Sequence, residues 1–151
     1  MGTWKEFASE EPDLAERVGG LFAAHKHHTM ATLRLDGSPR ISGTEVKIED
    51  GGLFLGMMSG TRRAADLRRD PRMALHSHTV DPIEEGDEPW LGDAKVGGRA
   101  IEVPAGTREP EGAEWFQIDL HEVVLTMLGS PADHLVIESW RPGRGRNSQR
   151  R

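Results

Sequence analysis

The spacing of apolar residues divides the chain into one helical stretch followed by a series of strands. In PDLAERVGGLFAAH, Leu14, Val18, Leu21 and Phe22 recur at helical intervals and Pro12 stands near the start, which predicts an amphipathic helix. Gly19 and Gly20 weaken it by about 1 kcal/mol each relative to alanine. The period then changes to two. Thr29–Leu35 alternates and runs into Asp36-Gly37, a hairpin signal. Ile41–Ile48 is a second strand, ended by Asp50-Gly51-Gly52, and Leu53–Met57 is a third, so the three form an antiparallel meander.

The next segment, SGTRRAADLRRDPR, reads as a short helix. Ser59 or Thr61 can cap it, and Asp70-Pro71 stops it after about Arg69. Met73–His78 predicts a strand, Val80–Asp93 an exposed acidic loop, and Ala94–Val103 a strand whose Gly97-Gly98 pair suggests a bulge. Trp115–Leu128 and His134–Trp140 complete the pattern. About seven short strands and two short helices imply a mainly β fold, a barrel or sandwich with small helical covers; closure into a barrel would remove exposed edges. No linker or repeat divides the chain. A single domain over residues 1–140 is expected, with 141–151 as a disordered, Gly/Arg-rich basic tail.

Composition narrows the function classes. With no cysteine among 151 residues, disulfides, thiolate metal sites and thiol nucleophiles are excluded. The absence fits a cytoplasmic protein. So does an N-terminus without the apolar core of a leader, in a chain without the ~20-residue apolar run of a membrane span. Net charge is −6, yet residues 141–151 contribute five arginines and no acid, so the body before them stands at −11. An acidic body argues against nucleic-acid binding, which needs a broad positive surface. The one basic run, Arg62 to Arg72, contains Asp66 and Asp70, which can pair with it, and no aromatic residue for base stacking.

The strand–turn–helix from Leu53 to Leu75 carries the most chemistry. A helix start presents unpaired N–H groups and the positive end of a dipole, which suits a phosphate. Ser59 and Thr61 add hydroxyl donors, Gly60 permits close backbone approach, and Arg62 and Arg63 add charge. The same features fit an ordinary capped surface helix with its arginines in water. Elsewhere, His76 and His78 share one strand face and lie near Asp81, too few ligands for a persuasive metal site. His25, His27 and His28 read as a solvated helix–strand junction. The loop from Asp81 to Asp93, with Trp90, could serve as a lid, a partner contact or plain surface. No nucleophilic or acid–base constellation stands out, and no catalytic residue is singled out.

Leu53–Leu75 resembles the FMN-phosphate segment of the pyridoxamine 5′-phosphate oxidase-like, or flavin split-barrel, superfamily. The shared order is a strand (Leu53-Phe54-Leu55), then Thr61-Arg62-Arg63, a short helix with Leu67, then Asp70-Pro71-Arg72 and Ala74-Leu75. Gly37-Ser38-Pro39-Arg40 and Val96-Gly97-Gly98-Arg99-Ala100 resemble the superfamily's second strand entry and a later strand, and the order holds over roughly residues 14–128. The resemblance implies an antiparallel split barrel of six or seven strands and a flavin-dependent oxidoreductase acting on a small organic substrate. It implies FMN as cofactor, with a deazaflavin coenzyme or haem as alternatives, and a homodimer with shared sites. It places the FMN phosphate on Arg40, Ser59, Thr61, Arg62 and Arg63, and the isoalloxazine beside Gly56 and Met57. Two departures set the chain apart from pyridoxamine 5′-phosphate oxidases proper. Glu45 stands where they have a lysine, and no C-terminal Arg-x-His is present.

Overall fold

A computed structural model describes residues 2–82 and 89–151. Two helices open the chain, α1 (Trp4–Glu10) and α2 (Pro12–Ala23). Strands β1 (His27–Leu33), β2 (Pro39–Glu49) and β3 (Gly52–Met58) follow, then helix α3 (Arg62–Arg69). The remaining strands are β4 (Arg72–His76), β5 (Asp93–Glu102), β6 (Ala113–Leu128), β7 (Leu135–Arg141) and β8 (Gly145–Arg150).

The sheet runs β3-β2-β1-β4-β5-β6-β7-β8, with every neighbour antiparallel. A further pairing of β3 with β6 closes the first six strands into a barrel. β6 is long enough to serve both sides: residues 113–117 pair with β3, and residues 123–128 pair with β7 outside the barrel. The expected bulge is present, since the β5–β6 register shifts between Gly97 and Gly98.

Side chains sort by strand alternation. Leu53, Leu55 and Met57 of β3 point into the core with Met30, Phe116, Ile118 and Leu120, while Phe54 and Trp115 lie outside that cluster. α2 buries Leu14, Val18 and Phe22 at the predicted spacing. α1 was not expected from the apolar pattern. Its start is nevertheless marked, because the Thr3 hydroxyl accepts from the Glu6 N–H. Phe7, fully buried, contacts Trp4 (5.2 Å between ring centroids) and Trp140 (5.0 Å), and the Trp140 indole N–H donates to Glu10 at 2.7 Å. α1 thereby plugs the end of the core near β7.

The C-terminal segment departs from expectation. Residues 145–150 form β8, in register with β7 from Val136↔Arg150 to Arg141↔Gly145. A strand ladder is made by backbone groups, so a sequence without apolar residues can still join a sheet edge. Gly143 and Gly145, at φ of +73° and +70°, provide the hairpin turn. Arg146 then pairs with Glu138 (2.6 Å) and Glu11 (3.3 Å), and Arg141 with Glu122 (2.8 Å). Among the described residues no helix is long and apolar enough to cross a membrane.

Candidate functional site

The site is organised around α3. Thr61 caps the helix: its hydroxyl oxygen accepts from the Ala64 N–H at 3.3 Å, which leaves its own O–H proton as a donor. The N–H groups of Arg62 and Arg63, in the first turn, have no intrahelical acceptor. Gly60, at φ +76°, makes the left-handed turn that brings the chain from β3 into the helix.

Two ties, one buried and one at the surface, hold this helix against the barrel. The first is Asp66, 2% exposed, whose carboxylate accepts from Arg40 Nε (2.7 Å), Thr32 Oγ1 (2.8 Å) and Arg69 Nη2 (3.0 Å). Burial works against its charge, but hydrogen bonds from Arg40, Thr32 and Arg69 outweigh it and hold the carboxyl below its usual range. The second is Arg68, which bridges Glu102 of β5 (2.7 Å) and Glu114 of β6 (2.8 Å). Arg72 pairs with Asp70 at 2.7 Å. The pairing expected for the basic run therefore forms, but only for its later members. Among the described residues no ion pair involves Arg62 or Arg63.

Six of the seven expected site residues border two cavities flanking the helix start, and Thr61, the cap, borders neither. The larger, about 610 Å³, is bordered by Gly56, Met57, Ser59 and Arg63, with His27 and Glu45 on its wall. The smaller, about 430 Å³, is bordered by Arg40 and Arg62 together with Arg34, Arg69, Asp36 and Asp66. Arg63 is half-buried, and its Nε is buried without a hydrogen-bond partner. Such an orphaned donor is uncommon in a folded protein and marks a place where an acceptor belongs.

Three residues sit differently from expectation. Arg40 lines a cavity, but its Nε is committed to Asp66, so only the rest of its guanidinium faces outward. The Met57 side chain is in the core, 4% exposed, so that residue meets the cavity from the strand end. Gly56 is covered by Trp115, its β6 partner: a Cβ there would lie 2.4 Å from the indole ring. The glycine serves strand packing as well as any ligand.

Pattern reading missed Trp115 and Arg108 as parts of this region. The Arg108 guanidinium lies 3.5 Å from the Phe54 ring centroid and 5.8 Å from that of Trp115, and it is ion-paired to Glu49. The Trp115 indole N–H is also buried without a partner. An aromatic facing a strand glycine across a closing pair was the available signal, but it needs the β3–β6 pairing to be known.

The histidines are redistributed too. β4 ends at His76, so His76 and His78 do not share a strand; His76 approaches Asp93 at 4.0 Å, and His78 stacks on His25 with centroids 4.0 Å apart. Among the described residues no group of three or more His, Asp and Glu gathers to hold a metal. His28 is buried rather than solvated. Its Nδ1 accepts from the His78 backbone N–H (2.8 Å), which puts the ring proton on Nε2, facing the carbonyls of His25 (2.8 Å) and Phe22 (2.9 Å). Burial lowers its pKa, so it is held neutral. Of the acidic loop, residues 83–88 lie outside the described residues; Trp90 donates to the Val80 carbonyl at 2.8 Å.

No family model and no curated protein matches this chain. Solved structures do. PhzG from Burkholderia lata 383, in complex with tetrahydrophenazine-1-carboxylic acid, aligns over 98% of this chain and 95% of its own, with a TM-score of 0.66 at 12% identity. A putative pyridoxamine 5′-phosphate oxidase from Listeria innocua aligns over 73% and 95%, with a TM-score of 0.57 at 10% identity. HutZ, the haem storage protein from Vibrio cholerae, aligns over 74% and 90%, with a TM-score of 0.53 at 15% identity. At these identities the likeness speaks to architecture, and it agrees with the six-strand closure and flanking helices seen here. The fold is that of the pyridoxamine 5′-phosphate oxidase-like split barrels.

Proposed function

We propose that this protein is a flavin-dependent oxidoreductase that holds FMN by its phosphate at the start of α3. The observation that carries the reading is the state of its arginines. Arg68, Arg69 and Arg72 are consumed by carboxylates, whereas Arg62 and Arg63 have no such partner among the described residues and Arg63 Nε is buried and orphaned. A phosphate would satisfy that donor together with the first-turn N–H groups and the hydroxyls of Ser59 and Thr61. Arg40, already tethered by Asp66, would lend its outward edge as long-range charge rather than as the main ligand.

Bound flavin would supply the hydride chemistry, and the chain's residues would position it and exclude water. The larger cavity, about 610 Å³, lies within the ~300–1,000 Å³ range of small-molecule sites. Glu45 on its wall, paired with Lys26 at 3.0 Å, makes that wall acidic or neutral, which favours an uncharged or cationic substrate over a phosphorylated one. Anaerobic addition of reduced nicotinamide to the FMN-loaded protein tests the enzyme reading. Bleaching of the flavin absorbance at a turnover-competent rate is expected. Tight FMN binding with no reduction by any donor would instead make the protein a carrier. A storage role is the second reading, favoured by HutZ among the structural neighbours. A deazaflavin coenzyme, which also carries phosphate, fits the same arginines.

A homodimer belongs to this proposal. On the barrel's outer face, Ile41 is 76% exposed beside Ala31, Ala74, Gly97 and Val124, and Lys95 and Glu122 lie at the edge of the same depression. A two-fold arrangement could set each lysine against the partner's glutamate. Sedimentation equilibrium should return twice the chain mass, and Ile41→Asp should return the monomer. A monomeric native protein would contradict this assignment.

A further inference from the structure

On the other side of the His25–His28 segment from the proposed flavin cavity lies a second recess of about 390 Å³. It is enclosed between the end of α2, at Leu21 and Ala24, and the chain between β4 and β5, at His78, Val80, Trp90 and Leu91. His25 lines this recess and His27 lines the larger cavity, so one short segment separates the two.

Its walls are flat and held in place. The imidazoles of His25 and His78 stack at 4.0 Å with 26° between planes. The Trp90 indole spends its N–H on the Val80 carbonyl, which fixes the ring and leaves only its faces for contact. His28 ties the two sides together: one ring nitrogen accepts from the His78 N–H and the other faces the carbonyls of Phe22 and His25. This buried hydrogen-bonded pin fixes the α2 and His78 walls of the recess in advance of any ligand. Val80 and Leu91 remain 45% and 72% exposed at its edge, apolar surface that an occupant would cover.

The polar lining selects the ligand's character. Besides the two imidazoles it contains the Asp81 carboxylate, and no arginine or lysine borders the recess among the described residues. The Asp81 carboxylate beside stacked rings suits a flat molecule that donates N–H bonds or carries positive charge, and it disfavours a carboxylate. We propose that this recess is a second ligand site, for a planar aromatic nitrogen base of one or two rings bearing an amino group. The site stands independently of the flavin reading.

The test is a titration of uniformly ¹⁵N-labelled protein with 2-aminobenzimidazole, with indole-3-acetate as the anionic comparison. Saturable shifts of the Trp90 indole N–H and of the Ala24 and His78 amides are expected, with a Kd below ~1 mM. Indole-3-acetate should bind at least ~10-fold more weakly, about 1.4 kcal/mol. Trp90→Ala should abolish saturation while the three other tryptophan indole signals stay in place, which shows that the fold is kept. Ala24→Phe, which fills the recess, should do the same. Absence of saturable shifts, shifts that survive both substitutions, or equal binding of indole-3-acetate would overturn the proposal.

Discussion

FMN binding to a protein carrying Arg62→Ala and Arg63→Ala is expected to weaken roughly 10²- to 10⁴-fold, from two charge-assisted hydrogen-bonding groups worth about 1.5–3 kcal/mol each. Riboflavin, which lacks the phosphate, should change by less than about twofold, or about 0.4 kcal/mol. The two arginines should not contribute equally. Arg63 borders the same cavity as Ser59 and has a buried, unpartnered Nε, so Arg63→Ala should carry most of the loss. Arg62 is exposed and borders the neighbouring recess with Arg40, so its share should be largely electrostatic and should shrink as salt is added. Isothermal titration of both ligands against the single and double variants, at low and high salt, reads all of this. Equal losses for FMN and riboflavin would mean that the arginines shape the protein rather than hold a phosphate.

Asp66→Ala should destabilise the fold by about 3–5 kcal/mol at neutral pH, the usual cost of removing one member of a buried ion pair. The carboxylate joins α3 to β1 through Thr32 and to β2 through Arg40, and its loss strands an arginine whose side chain is 19% exposed. The pH dependence follows from the direction of its shift. Because the folded-state pKa is lowered, the charged carboxylate's contribution is complete above the unfolded value of about 3.9 and disappears as pH falls through the folded value. Urea denaturation should thus show a wide gap between native protein and variant at pH 7 and a narrowing one as the pH falls below about 4. Asp66→Asn keeps the shape and part of the hydrogen bonding, and should fall between the two. A loss below about 0.5 kcal/mol for Asp66→Ala would show that α3 is held by its apolar face alone. If FMN affinity also drops in this variant, the rigidity of the helix start contributes to the site.

Local signals carried much of this architecture. Alternation located β1 to β7 within two residues at most ends, Thr61 marked the α3 cap, and the Gly97-Gly98 pair marked the bulge. Each of those features is decided by near neighbours in the chain. What stayed hidden depends on pairs brought together only by barrel closure. Asp66 gave no sign that it would gather Arg40 and Thr32, which lie on other elements, so Arg40 looked freer than it is. Gly56 reads as a ligand-facing glycine until β3 meets β6 and Trp115 covers it. The His25–His28 run looks like a polar turn because nothing local shows that backbone groups of α2 and of the chain after β4 converge on His28. β8 escaped for a different reason: apolar alternation cannot detect a strand held by its backbone ladder and by Arg146 between two glutamates. The turn glycines before it were the better guide.

The free arginine donors at the start of α3 predict that this barrel recognises a flavin by its phosphate. A side-by-side fluorescence titration of the purified protein with FMN and with riboflavin addresses it most directly. Saturable FMN binding, at least ~100-fold tighter than riboflavin (about 2.7 kcal/mol), is the result predicted by the unpartnered arginines at the start of α3. Binding of neither ligand, or of both with equal affinity, would contradict it.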